Sequence, residues 1–285
     1  MRISYKFFRI LIVVSYLSAF ASVSKCGAVE SKILRADDID AIKAELSYVD
    51  GNTLVVFDCD DVLTTVEDAV LKKENRHFIR EWYDAGDREL SFLDLMCRMV
   101  MLGKNCTVNV RMPKLVRNLQ NKNVRALVLT GFSAKPFTFG DIRDPRHWRS
   151  KVLNGLGYHF ENSWPEMEDK HFDEFGDPYD PSFSSGIICT GDVSKAESLK
   201  AFLDYVQFWP TAIIFVDDNE KNLTDVSALA KSKNIHFIGI HYTEASKMAS
   251  KFPFSKKRAR LQLDTLVKEN CWLSDRKAEE VLRKK

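Results

Sequence analysis

Five short apolar runs divide the chain into regular units. They are rich in β-branched residues, each stops at polar residues, and they occupy residues 53–57, 124–129, 187–189, 212–216 and 235–240. Runs that are apolar at consecutive positions, without alternation, are typical of strands buried on both faces, as parallel strands are. The pattern therefore predicts a parallel sheet covered on both sides.

Helical patterns fill the intervals between the later runs. Leu199, Phe202, Leu203 and Val206 are spaced i, i+3, i+4 and i+7, which places them on one helical face, and Ser194 precedes this segment as a suitable N-cap. Residues 223–230 repeat the pattern after the fourth run. Strands that alternate with helices in this way predict an α/β fold.

Two long insertions interrupt the alternation. Residues 66–120 are mostly helical in pattern, and we interpret them as a helical cap. Residues 133–186 form a second insertion within the core, and their part from 162 to 185, rich in Asp, Pro and Phe, is predicted to be a loop or a short hairpin. The predicted core domain then comprises residues 22–65 and 121–285.

Further along, residues 260–282 are predicted to be helical, with Trp272 docked on the body of the protein.

The first 21 residues have the three-part pattern of a secretory signal peptide. Basic residues come first, an apolar run covers residues 10–20, and Ala19 and Ala21 offer a cleavage site after Ala21. The run is too short for a comfortable membrane span, which needs about 20 apolar residues. We expect a secreted or periplasmic protein, with an uncleaved anchor or a buried first helix as the alternative.

Composition places the chain among ordinary globular proteins. Of 285 residues, 45% are apolar and 29% are charged, values that exclude disordered, collagenous and coiled-coil chains. Lys and Arg number 42 against 40 for Asp and Glu, and a net charge of only +2 argues against a nucleic-acid binder. Removal of residues 1–21 would delete three basic residues and leave 39 − 40 = −1.

Six cysteines are too few for a disulfide-built scaffold. In an oxidising compartment Cys97 could pair with Cys106, and Cys26 with Cys271, and the sequence does not decide between bridged and free forms. Cys189 lies inside an apolar run and is expected to be a buried thiol.

Polar residues whose side chains could take part in catalysis or binding follow the buried runs. They are Asp58, Asp60 and Asp61 after the first run, Thr130 and Gly131 after the second, Lys195 after the third, and Asp217 with Asp218 after the fourth. Ligands of open α/β sheets bind beyond the carboxyl ends of the strands, so we expect these side chains to meet at one sheet edge.

Several carboxylates at one place repel one another unless a cation or a proton joins them, and Mg²⁺ prefers such oxygen ligands. One carboxylate could then attack phosphorus, and a second could exchange a proton with the leaving group and with water. A hydroxyl and an ammonium group could hold the phosphoryl oxygens.

At these residues the sequence resembles the haloacid dehalogenase superfamily. Residues 57–63 are similar to its first motif, Asp-x-Asp-x-Thr/Val, and residues 127–130 to its second, an apolar strand that ends in Ser or Thr. Lys195 matches the third-motif lysine, and residues 213–218 look like the fourth motif. A Gly-x-x-x-Thr-Gly stretch at residues 186–191 is similar to poorly characterised secreted bacterial members.

The resemblance implies a Rossmann-like three-layer sandwich, with the cap inserted after the first motif strand, and a role for each motif residue. Asp58 would be the nucleophile, and Asp60 the general acid/base and a backbone metal ligand. Thr130, Gly131 and Lys195 would bind the phosphoryl group. Asp58, Asp60 and Asp217 would hold Mg²⁺, with Asp218 and Asp61 in support. The implied activity is hydrolysis of a small phosphomonoester through an aspartyl phosphate.

The sequence departs from the family pattern at two positions. Ala196 replaces a frequent Gly or Pro, and Asp61 stands where Asn or Gly is common. Two alternatives to a phosphatase are therefore kept. One is a phosphomutase, and the other is a catalytically weak or inactive secreted binding protein that would use the aromatic-rich residues 162–183 as its surface.

Overall fold

The computed structural model describes residues 30–86, 89–137, 142–248 and 251–284. The predicted signal peptide and Cys26 lie outside these residues. The described strands are β1 (Ser31–Ala36), β2 (Thr53–Phe57), β3 (Thr64–Val66), β4 (Asn105–Thr107), β5 (Arg125–Thr130), β6 (Lys170–His171), β7 (Ser182–Ser184), β8 (Ile187–Cys189), β9 (Ala212–Asp217) and β10 (His236–Tyr242). The described α-helices are α1 (Ile39–Glu45), α2 (Arg76–Asp84), α3 (Phe92–Leu102), α4 (Met112–Asn121), α5 (Pro145–Gly155), α6 (Lys195–Tyr205), α7 (Glu220–Ser232), α8 (Glu244–Lys247), α9 (Lys256–Glu269) and α10 (Asp275–Arg283).

An eight-stranded, mostly parallel sheet organises the molecule. Its order is β1-β10-β9-β2-β5-β8-β7-β6, and only β7 and β6 run antiparallel to their neighbours. The five predicted strands are confirmed as β2, β5, β8, β9 and β10. The apolar pattern missed β1, because the residues of this edge strand alternate between exposed and half-buried positions and only Ala36 is buried.

Helices cover both faces of the sheet, as predicted for a Rossmann-like three-layer sandwich. Successive residues of β2 point to opposite sides, so Val55 and Phe57 pack in one core with α1 and α4, whereas Leu54 and Val56 pack in the other with α6 and α7. Ser194 caps α6 as expected, since its side chain accepts a hydrogen bond from the Glu197 backbone amide.

A third apolar cluster lies apart from the two faces and forms the cap body. It joins α2 and α3 to α9 through residues such as Phe78, Leu95 and Leu263. Helix α4 lies almost wholly within the predicted cap interval, yet it packs on the sheet. Helix α9, which overlaps the predicted helical segment 260–282 of the core domain, packs on the cap body. Apolar spacing shows that a helix has a face to bury, but it does not show which body covers that face.

The stretch from 162 to 185, predicted to be a loop or a short hairpin, contains the short antiparallel hairpin of β6 and β7. Its aromatic side chains Trp164, Phe172 and Phe183 are buried in the sheet core. The expected aromatic binding surface is thus wrong for these residues, because they pack against α6.

Cys106 is a free thiol and is therefore not bridged to Cys97, and Cys189 is buried as expected. Trp272 donates a hydrogen bond from Nε1 to Asp68 Oδ2 over 2.7 Å, which docks this residue on the cap body. Among the described residues, no helix combines the length and the apolar character that crossing a bilayer requires.

Candidate active site

The strand ends meet beneath the cap, at a cavity of about 590 Å³. Strand β2 lies between β9 and β5, so the carboxyl ends of three parallel strands bring Asp58, Thr130 and Asp217 to one edge. Lys195 begins α6, which follows β8 on the same sheet. All the predicted site residues line the cavity except Asp217, which is fully buried behind Lys195.

Lys195 joins two buried carboxylates. Its Nζ lies 2.7 Å from Asp58 Oδ1 and 2.7 Å from Asp217 Oδ2. Burial raises the pKa of Asp58 to about 7, an effect that Lys195 opposes and the charge of Asp217 strengthens. Burial alone would lower the pKa of Lys195, but the two carboxylates outweigh it and raise that pKa above its ordinary value. One cation is thus shared between two buried acids.

Local hydrogen bonds fix Asp217. The Asn219 backbone amide donates to its Oδ1 over 2.8 Å, and the Asn222 amide donates to both carboxylate oxygens over 3.1 Å. The next residue, Asp218, faces the cap and accepts from Lys73 Nζ over 2.8 Å. Because Lys73 precedes α2, this ion pair ties the cap to the sheet edge.

Asp60 is held by an arginine from the second insertion. Nη1 of Arg149, on α5, lies 3.2 Å from Asp60 Oδ1; the Asp60 side chain is 50% exposed, whereas that of Arg149 is only 4% exposed. The Arg149 guanidinium also lies 4.3 Å from the ring centre of Phe132, a cation–π distance. A buried, fixed cation therefore sets the position of a carboxylate that faces the cavity.

Asp61 adopts a left-handed backbone, with φ of 62°. Its amide donates to the Thr64 carbonyl over 2.6 Å, and Thr65 Oγ1 donates to its carboxylate over 2.9 Å. Asn, Asp and Gly tolerate this conformation best, so an acid at this position satisfies the same backbone demand as the residues common in the resembled family. Burial raises the pKa of Asp61 above its ordinary value.

Thr130 is buried, and its Oγ1 accepts from the Phe132 amide over 3.3 Å. The loop that follows is secured by Asp180, whose carboxylate accepts from Ser133 Oγ over 2.5 Å and from the Ala134 amide over 2.8 Å. Gly191 has a φ of 53°, and a Cβ there would overlap the Asp180 carboxylate. Glycine at this position is therefore required by both backbone angle and space.

Three carboxylates could hold a divalent cation. Oxygen atoms of Asp58, Asp217 and Asp218 lie within 4.8 Å of one another. A set of hard oxygen donors, two of them buried and sharing a single lysine, fits Mg²⁺ in charge and in ligand type. A second group, Asp144, His147 and Asp169, is less suited, because the Arg146 guanidinium already lies against both of its acids.

Reasoning from the sequence missed three residues of the site. Arg149, Lys73 and Asn222 all line the cavity. Arg149 and Lys73 are distant in sequence from Asp60 and Asp218, which they contact, whereas Asn222 lies only five positions after Asp217. A weak signal existed for Arg149, which lies four residues after Pro145 and four before Leu153 and so shares their buried helical face. No comparable signal marks Lys73 or Asn222.

Comparison with known proteins places the chain in a family. A model of the family described as "Protein of unknown function (DUF2608)" matches residues 35–279. The chain belongs to this family. An uncharacterised protein of Rickettsia prowazekii is 24% identical over 259 residues, which cover 89% of this chain and 92% of that protein.

A Chlamydia trachomatis protein that carries the name "Putative outer membrane protein" is 24% identical over 222 residues, or 75% of this chain and 78% of that protein. An uncharacterised protein of Rickettsia felis is 29% identical over 146 residues, 49% of this chain and 48% of that protein. No solved structure matches this chain with statistical significance.

Proposed function

We propose that the protein is a Mg²⁺-dependent phosphatase that hydrolyses a small phosphomonoester through an aspartyl phosphate, as the resemblance to the haloacid dehalogenase superfamily implies. The observation that carries the proposal is the convergence of Asp58, Asp60 and Lys195 on one cavity at the carboxyl ends of parallel strands. An acid two residues after a candidate nucleophile supplies the proton exchange that ester hydrolysis needs.

In the first step an oxygen of Asp58 attacks phosphorus, and the bond between phosphorus and the ester oxygen breaks. Asp60 gives its proton to the departing alcohol. In the second step water attacks the phosphorus of the aspartyl phosphate while Asp60 takes a proton from it. The bond to Asp58 breaks, inorganic phosphate leaves, and both carboxyl groups return to their starting states.

Thr130, Gly131 and Lys195 bind the phosphoryl oxygens in this proposal. Asp58, the Asp60 backbone carbonyl and Asp217 hold Mg²⁺, with Asp218 and Asp61 in support. A bound Mg²⁺ supplies positive charge that offsets the charge of the phosphoryl oxygens. Lys195 adds a second cation at the same place, at 2.7 Å from the attacking carboxylate.

The test is release of inorganic phosphate from an aryl phosphate by the purified protein with Mg²⁺. Asp58→Asn removes the nucleophile at nearly constant size, and we expect the rate to fall at least about a thousandfold. Asp225→Asn is the matched control, because Asp225 forms an exposed ion pair with Lys221 outside the cavity. Absence of release by the wild type, or full activity in Asp58→Asn, would contradict the proposal.

We also propose that the protein works outside the cytoplasm. The signal-like pattern of residues 1–21 supports this, as do two chlamydial relatives that carry the name "Putative outer membrane protein". The N-terminus of protein recovered from a periplasmic fraction should then be Ser22. Recovery of the chain from the cytoplasm with Met1 still attached would count against this proposal.

A further inference from the structure

The cavity over the sheet edge has two unlike ends. The acids and Lys195 occupy one end, as described above. The cap contributes a wall of apolar side chains from β3, from the 3₁₀ turn Ala69–Leu71, and from α2 and α3. They are Val66, Leu71, Ile79, Met96, Met99 and Val100. A ligand that fills this space therefore meets charge at one end and hydrocarbon at the other.

The apolar wall is built by one face of α3. Met96, Met99 and Val100 are spaced i, i+3 and i+4, and all three line the cavity. Met96 and Val100 are only half-buried, so they leave apolar surface open inside a concave site. Leu93, on the same helix, is 64% exposed and does not line the cavity. Concave apolar surface beside a few polar groups is typical of ligand sites.

The cap contributes few polar side chains to the cavity, and one of them contacts the acidic end. The polar side chains that the described part of the cap places in the cavity are Lys73, Arg76 and Asn105. Lys73 is paired with Asp218, and Arg76 donates from Nε to the Leu71 carbonyl over 3.3 Å. Sugar hydroxyls against the methionine wall would lose water without gaining partners, which is unfavourable.

We infer that the substrate is a phosphomonoester with an apolar alcohol part, an alkyl or aryl group rather than a sugar or a nucleoside. This inference rests on the proposed phosphatase function and adds the substrate class. The phosphoryl group occupies the Asp58–Lys195 end, and the apolar group lies along α3 under the cap. Methionine side chains adapt to irregular shapes, so the wall suits flexible chains.

The experiment measures kcat/KM for butyl, hexyl and octyl phosphate and for glucose 6-phosphate, with Mg²⁺. Burial of each added methylene should raise kcat/KM by about fourfold until the cavity is full. Glucose 6-phosphate should be the poorest of the four. Binding of butyl and octyl phosphonate, which are not hydrolysed, is measured in parallel by calorimetry.

Two variants make the wall polar at nearly constant size. Met96→Gln and Val100→Thr should each reduce the octyl-to-butyl ratio of kcat/KM, by about fivefold or more for Met96→Gln. Leu93→Gln is the matched control on the same helix and should leave the ratio unchanged. Thermal unfolding of each variant shows whether the cap remains folded.

The outcomes separate the two proposals. Phosphate release with no dependence on chain length, or with an unchanged ratio in Met96→Gln, overturns the inference and leaves the phosphatase standing. Chain-length-dependent phosphonate binding without any hydrolysis overturns the phosphatase and retains the apolar ligand class. Neither release nor phosphonate binding overturns both.

Discussion

At the scale of single residues, Arg149 holds the carboxylate of Asp60 in place at the site. Its guanidinium is buried against Phe132, and it meets the half-exposed Asp60 at 3.2 Å. A planar guanidinium offers a carboxylate two parallel contacts, which fix orientation as well as distance. Here the second contact is longer, at 3.5 Å. Arg149 is therefore a positioning residue for the proposed general acid/base.

We predict that Arg149→Met lowers kcat about ten- to a hundredfold, part of the benefit of a positioned acid/base because Asp60 itself remains, while KM changes little. Arg149→Lys keeps the charge but loses the planar fork, so we expect an intermediate rate. Steady-state kinetics with an aryl phosphate checks both values.

The control for this prediction is Arg146→Met. Arg146 is also buried on α5, but it pairs with Asp144 and does not line the cavity. Its substitution should cost comparable stability and leave kcat unchanged. Equal losses of activity in the two variants would show that Arg149 matters only for the packing of α5.

At the scale of elements, a buried polar junction joins α9 and α10 to the cap. The Asp275 carboxylate accepts from the Ala69 amide over 2.8 Å and from Arg258 Nε over 3.0 Å. In return, Asp68 accepts from the Asp275 amide over 2.7 Å. Asp275 and Arg258 are almost fully buried, so each charge depends mainly on the other for compensation, with Glu279 a more distant partner of Arg258 at 3.5 Å.

We predict that Asp275→Ala lowers the free energy of unfolding by about 3–5 kcal/mol, since the buried Arg258 then keeps only the more distant carboxylate of Glu279, at 3.5 Å. Urea denaturation followed by circular dichroism measures this change. Glu280→Gln, which breaks only an exposed pair on α10, should cost less than about 1 kcal/mol. Similar losses in the two variants would contradict the assignment of the junction.

The sequence predicted most of the elements that place the site, and its errors have physical causes. Strands β2, β5 and β9 are buried on every or nearly every position, so a continuous apolar run marks each of them. Helix α4 was given to the cap because its apolar face, which includes Met112 and Leu115, fits any body that could cover it. Its true position depends on contacts distant in the sequence.

The same distinction holds for the site. Asp58, Thr130, Lys195 and Asp217 follow buried strands, so topology alone predicts that they converge. Arg149 contacts Asp60 although the two residues are 89 positions apart in the sequence, and no periodicity or spacing encodes that contact. Arg149 and Lys73, which the insertions carry, thus escaped prediction, as did Asn222 on α7, whereas the polar residues that directly follow the strands did not.

At the scale of the whole molecule, negative charge is concentrated at the sheet edge, although the net charge of the chain is close to zero. Asp58 is buried beside Asp217, and its pKa of about 7 lies above the ordinary value. Between the ordinary pKa and 7 the folded protein holds more protons at this group than the unfolded chain does. The stability that this protonation confers is present at low pH and is lost as the pH rises through 7.

We predict that, in the presence of EDTA, the stability of Asp58→Asn relative to wild type increases by about 1–3 kcal/mol between pH 5 and pH 8. Urea unfolding at the two pH values measures it. Mg²⁺ at pH 8 should stabilise the wild type and have no effect on Asp58→Asn, because ligands stabilise only the state that binds them. Equal stabilisation of both proteins by Mg²⁺ would exclude Asp58 as a ligand.

The composition of the cap body has a consequence for biosynthesis. Leu71, Ile79 and Met99 line the cavity and also pack in the cluster that includes Leu263 of α9. During translation the sheet strands emerge before α9 does, so the acids of the sheet edge can assemble while the cavity wall still lacks the apolar face of α9 that packs behind it. The cavity wall is therefore completed later in synthesis than the sheet edge.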